Sequence, residues 1–407
     1  MSDSTQDSTD LVGRFEAEHR IPAEMRADVH LLGDLLGRVL RESGSEGLYD
    51  DVERLRLATI QAYTDETPEA FARAAEIVEG FTIQRADEVA RAFTAYFHLV
   101  NLAEEHQRVR VLRERDAQPW SGDASASIGT AFAQLSDEIG ADAATERLQT
   151  MRFHPVFTAH PTEARRRAVS GSIRRLSEFL VERDVSPGGA DESRIERGML
   201  EEVDTLWRTA PLRQDKPTPV DEVRSVMAVF DETLYTSIPE VYQRIEDVLH
   251  GDRARAEPIV RPFVRLGTWV GGDRDGNPFV TASVTRKAAA IASEHVLLGL
   301  ERTANRVGRG LTLDATTTPP TDELLALWQR LRSADEEAAR EIAKRSPNEP
   351  HRRILLLVAR RIAATRTRDA DLAYRDPAQL LAELEIVQQS LVSAGAGRHA
   401  YGQLQQF

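Results

Sequence analysis

Cysteine is absent from all 407 residues, which excludes disulfides and thiolate metal sites and permits a cytoplasmic setting. No two histidines fall four apart, so the zinc-helix pattern is missing as well. No Gly-x-x-x-x-Gly-Lys-Ser/Thr loop occurs, which removes the usual nucleotide cradle. Apolar runs are short: Ile354 to Ala359 is among the longest, far below the roughly 20 residues a membrane helix needs. Positive charge is in deficit. The 52 Lys and Arg against 66 Asp and Glu leave a net charge of −14, which argues against nucleic acid or an anionic membrane as a partner. An acidic exterior with local arginine clusters suits a small anionic substrate instead. Tandem repeats and long low-complexity tracts are also missing. The polar, acidic stretch Met1 to Asp10 predicts a frayed terminus rather than a signal peptide.

What is present is chiefly helical periodicity, in a chain long enough for two or three cores or for half of a large helical enzyme. Leu32, Leu35, Leu36, Val39 and Leu40 form one stripe, and Phe71, Ala74, Ala75 and Val78 form another after the Thr67-Pro68 start signal. Residues 87–113 predict a long amphipathic helix with Phe93, Tyr96 and Phe97 in the core. Helical spacing also covers 164–182 (with Val169, Ile173, Leu176, Phe179 and Leu180 on one stripe), 193–208, 221–250, 288–298 and 322–342. Turn signals mark 119–125 and 185–191 as loops. Strand candidates are few, 153–159 and 258–266, so the pattern predicts a mostly helical fold with a little parallel sheet.

Two segments carry chemistry. Val156-Phe-Thr-Ala-His-Pro-Thr-Glu-Ala-Arg-Arg-Arg167 ends a short apolar run at His160 and follows it with an arginine cluster. Pro161 fits a first helical turn and Thr162 can cap it, so free N–H groups and the imidazole are expected to point to one place, which phosphate and carboxylate favour. A buried histidine capping a helix start is the plainer reading of His160. Val264-Arg-Leu-Gly-Thr-Trp-Val-Gly-Gly-Asp-Arg-Asp-Gly-Asn-Pro278 runs from an apolar stretch into a loop dense in glycine and charge. Gly267, Gly271, Gly272 and Gly276 permit backbone shapes closed to other residues and let a ligand approach the main chain. The plainer alternative is a surface turn braced by an Asp–Arg pair, against which Trp269 weighs. A calcium loop is rejected: in Asp273-Arg-Asp-Gly276 the glycine comes too early and no Glu closes it. The nine other histidines, His295 and His351 among them, show no ligand-like pairing and are expected to be structural or solvated.

These two segments resemble the signature stretches of the phosphoenolpyruvate carboxylase family. Leu206-Trp-Arg-Thr209, Lys216-Pro-Thr-Pro-Val-Asp-Glu222 and Ala92-Phe-Thr-Ala-Tyr-Phe-His-Leu-Val-Asn-Leu-Ala-Glu104 resemble family sequence in the same order. Members of that family are substantially longer. Their later half carries the metal-binding carboxylates, a His-Gly-Arg-Gly-Gly type loop and further phosphate-holding arginines, none of which occurs here. The chain stops at Tyr401 to Phe407, in what reads as an ongoing helix, and is expected to be the amino-terminal portion of a carboxylase.

The resemblance implies a predominantly α-helical protein with a few parallel strands, part of a helix-rich (β/α)8 TIM-type barrel with its ligands at the carboxyl ends of the strands. It divides the chain into an amino-terminal helical region (1–150), the first part of the barrel with the histidine and glycine loop (151–290), and a helical region (291–407). The implied reaction joins bicarbonate to phosphoenolpyruvate, giving oxaloacetate and phosphate. Mg2+ or Mn2+ is required, with ligands expected outside this chain, and a homotetramer is expected of the complete enzyme. His160 is the implied proton acceptor as carboxyphosphate breaks down, an imidazole being able to serve as base near neutral pH. Trp269 is the candidate wall of the bicarbonate pocket and Arg274 a candidate anion contact. Arg166, Arg167 and Arg213 match positions linked to an allosteric sugar-phosphate site in some members. A solvated basic face continued by Arg174 and Arg175 competes with that reading of the arginines. A non-catalytic helical module for subunit contact or effector binding is the alternative function, and the isolated fragment is expected to be inactive. A phosphohistidine enzyme on the same barrel is disfavoured by the missing nucleotide loop.

Overall fold

A computed structural model describes residues 21–117, 128–158, 167–185, 191–209, 217–250, 257–274, 276–405 and 407. In chain order the elements are α1 (Ala23–Ser43), α2 (Leu48–Asp65), α3 (Pro68–Glu79), α4 (Ile83–Ala117), α5 (Ile128–Ile139), α6 (Ala141–Gln149), β1 (Val156–Phe157), α7 (Arg167–Val185), α8 (Glu192–Arg208) and α9 (Pro219–Val229). A π-helical turn, Phe230–Leu234, leads into α10 (Tyr235–His250). Then come β2 (Gly267–Thr268), α11 (Ala282–Gly310), α12 (Asp322–Ala334), α13 (Glu336–Arg345), α14 (Pro350–Thr367), α15 (Pro377–Ser393) and the short α16 (Gly397–Ala400). The protein is mostly helical, with two parallel strands among the described residues.

The chain forms two compact units. The first takes residues 1–121 and 162–216 and is built from α1 to α4, α7 and α8. The stripe from Leu32 to Leu40 on α1 is buried against Val89, Leu99 and Leu102 of α4, Leu176 and Leu180 of α7, and Met199 and Val203 of α8. Asp28, fully buried on α1, accepts a hydrogen bond from Arg110 Nη1 at 2.6 Å and pairs with Arg183. Arg110 also donates twice to Asp184, at 2.7 and 2.8 Å, and His106 Nε2 meets the same carboxylate at 2.8 Å. Each buried charge thus has a partner, as the cost of an unpaired one requires.

Two expectations fail in this unit. Phe71 and Val78 of α3 are exposed, because that helix presents only Ala70 to the interior. Phe97 is exposed too, whereas Phe93 and Tyr96 pack against the core: on a helix this long the 3.6-residue period turns Phe97 to the outer face.

The second unit takes residues 122–161 and 217–407. Its largest core gathers Ala304 and Val307 of α11, Leu324 and Leu327 of α12, Ile354, Leu355 and Val358 of α14, and Val387 and Leu391 of α15. Glu383, nearly buried, pairs with Arg361 and accepts from the Tyr374 hydroxyl at 2.6 Å. The helix expected over 322–342 breaks at Asp335, whose carboxylate caps α13 by accepting the Ala338 N–H at 3.1 Å. Residues 401–405 form turns rather than a continuing helix, with Leu404 N–H reaching back to His399 O.

Candidate active site at the ends of the paired strands

The strands of the second unit form a short parallel ladder. Val156 pairs with Gly267 and Phe157 with Thr268, preceded by an isolated bridge between Phe153 and Val264. Helix α10 places the approach to β2. Its Tyr242 hydroxyl accepts the N–H groups of Phe263 and Val264 at 2.8 and 2.9 Å, and one turn on Glu246 accepts those of Ile259 and Val260 at 3.0 and 2.7 Å. Amides that an unpaired edge would leave open are satisfied there by side chains. The ladder therefore lies later than the expected 258–266 run, at its glycine end.

Because the strands are parallel and in register, the chain leaves both at the same end. From β1 it runs through Thr158 toward His160, and from β2 into Trp269. Thr268 joins the two exits: its hydroxyl donates to Phe157 O at 3.0 Å and accepts the Val270 N–H at 3.1 Å. His160 lies outside the described residues, as do Arg166, Arg213 and Asp275.

The glycine loop is seated on helices. Val270 is buried with Val223 and Met227 of α9 and Ala288 of α11. Gly271 has φ +77°, and a Cβ there would come within 2.8 Å of both Ala288 and Val223. Its lack of a side chain serves close packing there. The N–H groups of Gly272 and Asp273 both donate to Trp269 O at 2.9 Å, so these two amides are spent within the loop. Gly276, also at φ +77°, faces open space. Asn277 Oδ1 accepts the Phe279 N–H at 2.9 Å, closing the turn that leads to the Thr281 cap of α11. Trp269 is 52% exposed and Arg274 lies on the surface. These two sequence-predicted groups thus share one exposed loop at the strand ends.

The helix that starts the segment is equally determined by sequence. Thr218 Oγ1 accepts the Asp221 N–H at 3.3 Å and Asp221 Oδ2 accepts the Thr218 N–H at 3.1 Å, a capping box with Pro219 in the first turn. Hydrogen bonds from Thr218 hold the Asp221 carboxyl below its usual range, and burial raises Glu222 beside it.

Several histidines meet carboxylates, His106 at Asp184 and His295 at Asp231 among them. His295 Nδ1 lies 2.6 Å from Asp231 Oδ2, and both side chains are partly buried. The partners stand 64 positions apart, and a sequence scan for short-range pairs has no access to such a contact. In the first unit, Arg167 opens α7, while Arg174 pairs with Glu178 at 3.8 Å and Arg175 with Glu202 at 2.6 Å. The continuing arginines of α7 are therefore tied to neighbouring carboxylates. Among the described residues no group of three or more His, Asp or Glu side chains could hold a metal ion. The described part of the chain does not fit a metal centre. No helix among those residues is long and apolar enough to cross a membrane.

The fold is mostly helical, and its described strands are parallel and deliver a glycine-rich loop at their shared end. The sequence goes further: residues 25–407 match the family described as phosphoenolpyruvate carboxylase, and the chain belongs to that family. It is 35% identical over 398 residues to a phosphoenolpyruvate carboxylase of Roseiflexus castenholzii, covering 93% of this chain and 42% of that protein. It is 31% identical over 414 residues to one from Bradyrhizobium diazoefficiens, covering 99% of this chain and 43% of the relative. A relative from Alcanivorax borkumensis is 31% identical, with 95% and 43% covered. The chain therefore spans less than half the length of these curated relatives.

Proposed function

We propose that the complete protein containing this chain is a phosphoenolpyruvate carboxylase, and that β1 and β2 are neighbouring staves of a (β/α)8 barrel begun within residues 151–290. The observation that supports this best is the in-register parallel pairing that sends the His160 segment and the Trp269 loop out of the same end, in a chain of this family. Substrates of barrel enzymes bind at that end of the strands. Phosphoenolpyruvate transfers its phosphoryl group to bicarbonate: the bond from phosphorus to the enol oxygen breaks, a bond to a bicarbonate oxygen forms, and carboxyphosphate and the enolate of pyruvate result. His160 takes the proton of carboxyphosphate as its C–O bond breaks to give CO2 and phosphate. The enolate carbon then attacks CO2 to form oxaloacetate. Trp269 walls the bicarbonate side, and Arg274 offsets the negative charge gathered at the reacting centre.

Mg2+ or Mn2+ belongs to this reading, with ligands outside the described residues, and no step above is assigned to it. A homotetramer in the cytoplasm, without nucleic acid or membrane partners, completes the proposal. Arg166, Arg167 and Arg213 are proposed as effector groups for a sugar phosphate on residue correspondence alone. The test uses the full-length protein with phosphoenolpyruvate and labelled bicarbonate. His160→Asn should lower oxaloacetate formation by roughly 10²–10⁴-fold, the contribution typical of a positioned base, with KM for phosphoenolpyruvate within about twofold. Normal oxaloacetate formation by this variant would overturn the assignment.

A further inference from the structure

The π-helical turn Phe230–Leu234 carries an arrangement that the proposed chemistry does not use. Two of its contacts reach α11 one helical turn apart. Asp231 meets His295, and Tyr235, which follows the turn, lies against Gly299, where an added Cβ would stand 3.0 to 3.3 Å from its ring. Asp231 and Tyr235 share the four-residue spacing of His295 and Gly299, so two successive steps of one helix dock on two of the other. The Phe230 ring then packs on Phe157, the last residue of β1, with centroids 5.4 Å apart, and on Tyr235 at 6.3 Å. Burial and the nearby Asp231 carboxylate push the Tyr235 phenol up to about 12.

We propose that Asp231 and His295 are a positioning pair for the carboxylation reaction, locking the π-turn onto α11 so that Phe230 fixes the end of β1 from which the chain runs to His160. The proposal rests on the functional reading above and deepens it. The Asp231 and His295 side chains are partly buried, 21% and 25% exposed. What the pair supplies is direction: a short contact fixes where the turn sits, and π-turns recur where an α-helix is distorted for function. Helix α11 links both halves of the site, since its first two turns receive the glycine loop through Thr281 and Ala288 while His295 holds the support of β1.

The test compares His295→Leu, Asp231→Asn and His295→Asn in the full-length protein, each checked for native circular dichroism. An asparagine amide occupies the place of imidazole Nδ1 and can still donate to Asp231. His295→Leu should lower kcat by roughly 10- to 100-fold with KM for phosphoenolpyruvate within about twofold, because misplacing a reacting group costs rate rather than binding. His295→Asn should recover most of that loss, and Asp231→Asn should fall between. Independently of any activity, hydrogen exchange of a peptide covering residues 153–158 should accelerate in His295→Leu and not in His295→Asn. Exchange of that peptide unchanged while 230–234 loosens would overturn the proposal, as would equal losses for the Leu and Asn variants. A wild-type protein with no carboxylase activity would sink the functional reading alone, leaving the exchange result to decide the pair.

Discussion

His351 is a residue whose protonation state the fold constrains by burial. Fully buried at the start of α14, it places Nε2 2.8 Å from Ser390 Oγ, which also accepts the Thr321 N–H at 3.1 Å. Its Nδ1 has no partner among the described residues. Burial pushes its pKa down to about 4 from an ordinary 6.5. Between these values the unfolded chain binds more protons than the folded one, so stability rises with pH there. The contribution of neutral His351 is complete above pH 6.5 and drains away as pH falls toward 4. Urea unfolding across that window should show wild type losing up to about 3 kcal/mol more than His351→Asn, the linkage expected for a shift of this size. Parallel pH profiles for the two proteins would contradict this account of the residue.

At the scale of elements, the glycine loop depends on how it sits between α9 and α11. Gly271→Ala adds a methyl 2.8 Å from Val223 and Ala288 at a backbone angle of +77°, combining strain with overpacking. A loss of about 2–4 kcal/mol is expected from the two effects. Gly276→Ala meets the same angle with nothing around it and should cost only about 1 kcal/mol. Thermal or urea unfolding of both variants checks this, and equal losses would show that the packing is not what Gly271 serves. Much at this scale was legible in advance. The stripe on α1 is buried and that on α7 packs against the same core, as their spacing predicts, since a face packed on neighbouring helices keeps the 3.6-residue period. The π-turn was not: 221–250 reads as one run of helical spacing, and one extra residue in a turn leaves no mark on composition. The Phe71 stripe misled because apolar spacing specifies a face but not what covers it.

For the whole molecule, the long-range contacts are what sequence alone concealed. Pairing of Phe157 with Thr268 joins positions 111 apart, and Asp231 finds His295 only once α11 is folded beside the π-turn. The motifs at 156–167 and 264–278 marked the candidate segments by residue type, whereas Thr268, Gly271 and His295 acquire their contacts only from neighbours brought near by folding. The central claim is that His160 and the Trp269 loop face one reacting centre at the end of the paired strands. Cysteines placed at positions 160 and 272 of the full-length protein test it most directly, using a short bifunctional crosslinker and mass spectrometry of the joined peptides, with cysteines at the paired positions 157 and 268 as the control. A 160–272 link formed as readily as the 157–268 link is the predicted result; formation of the control link with no 160–272 link would contradict the account.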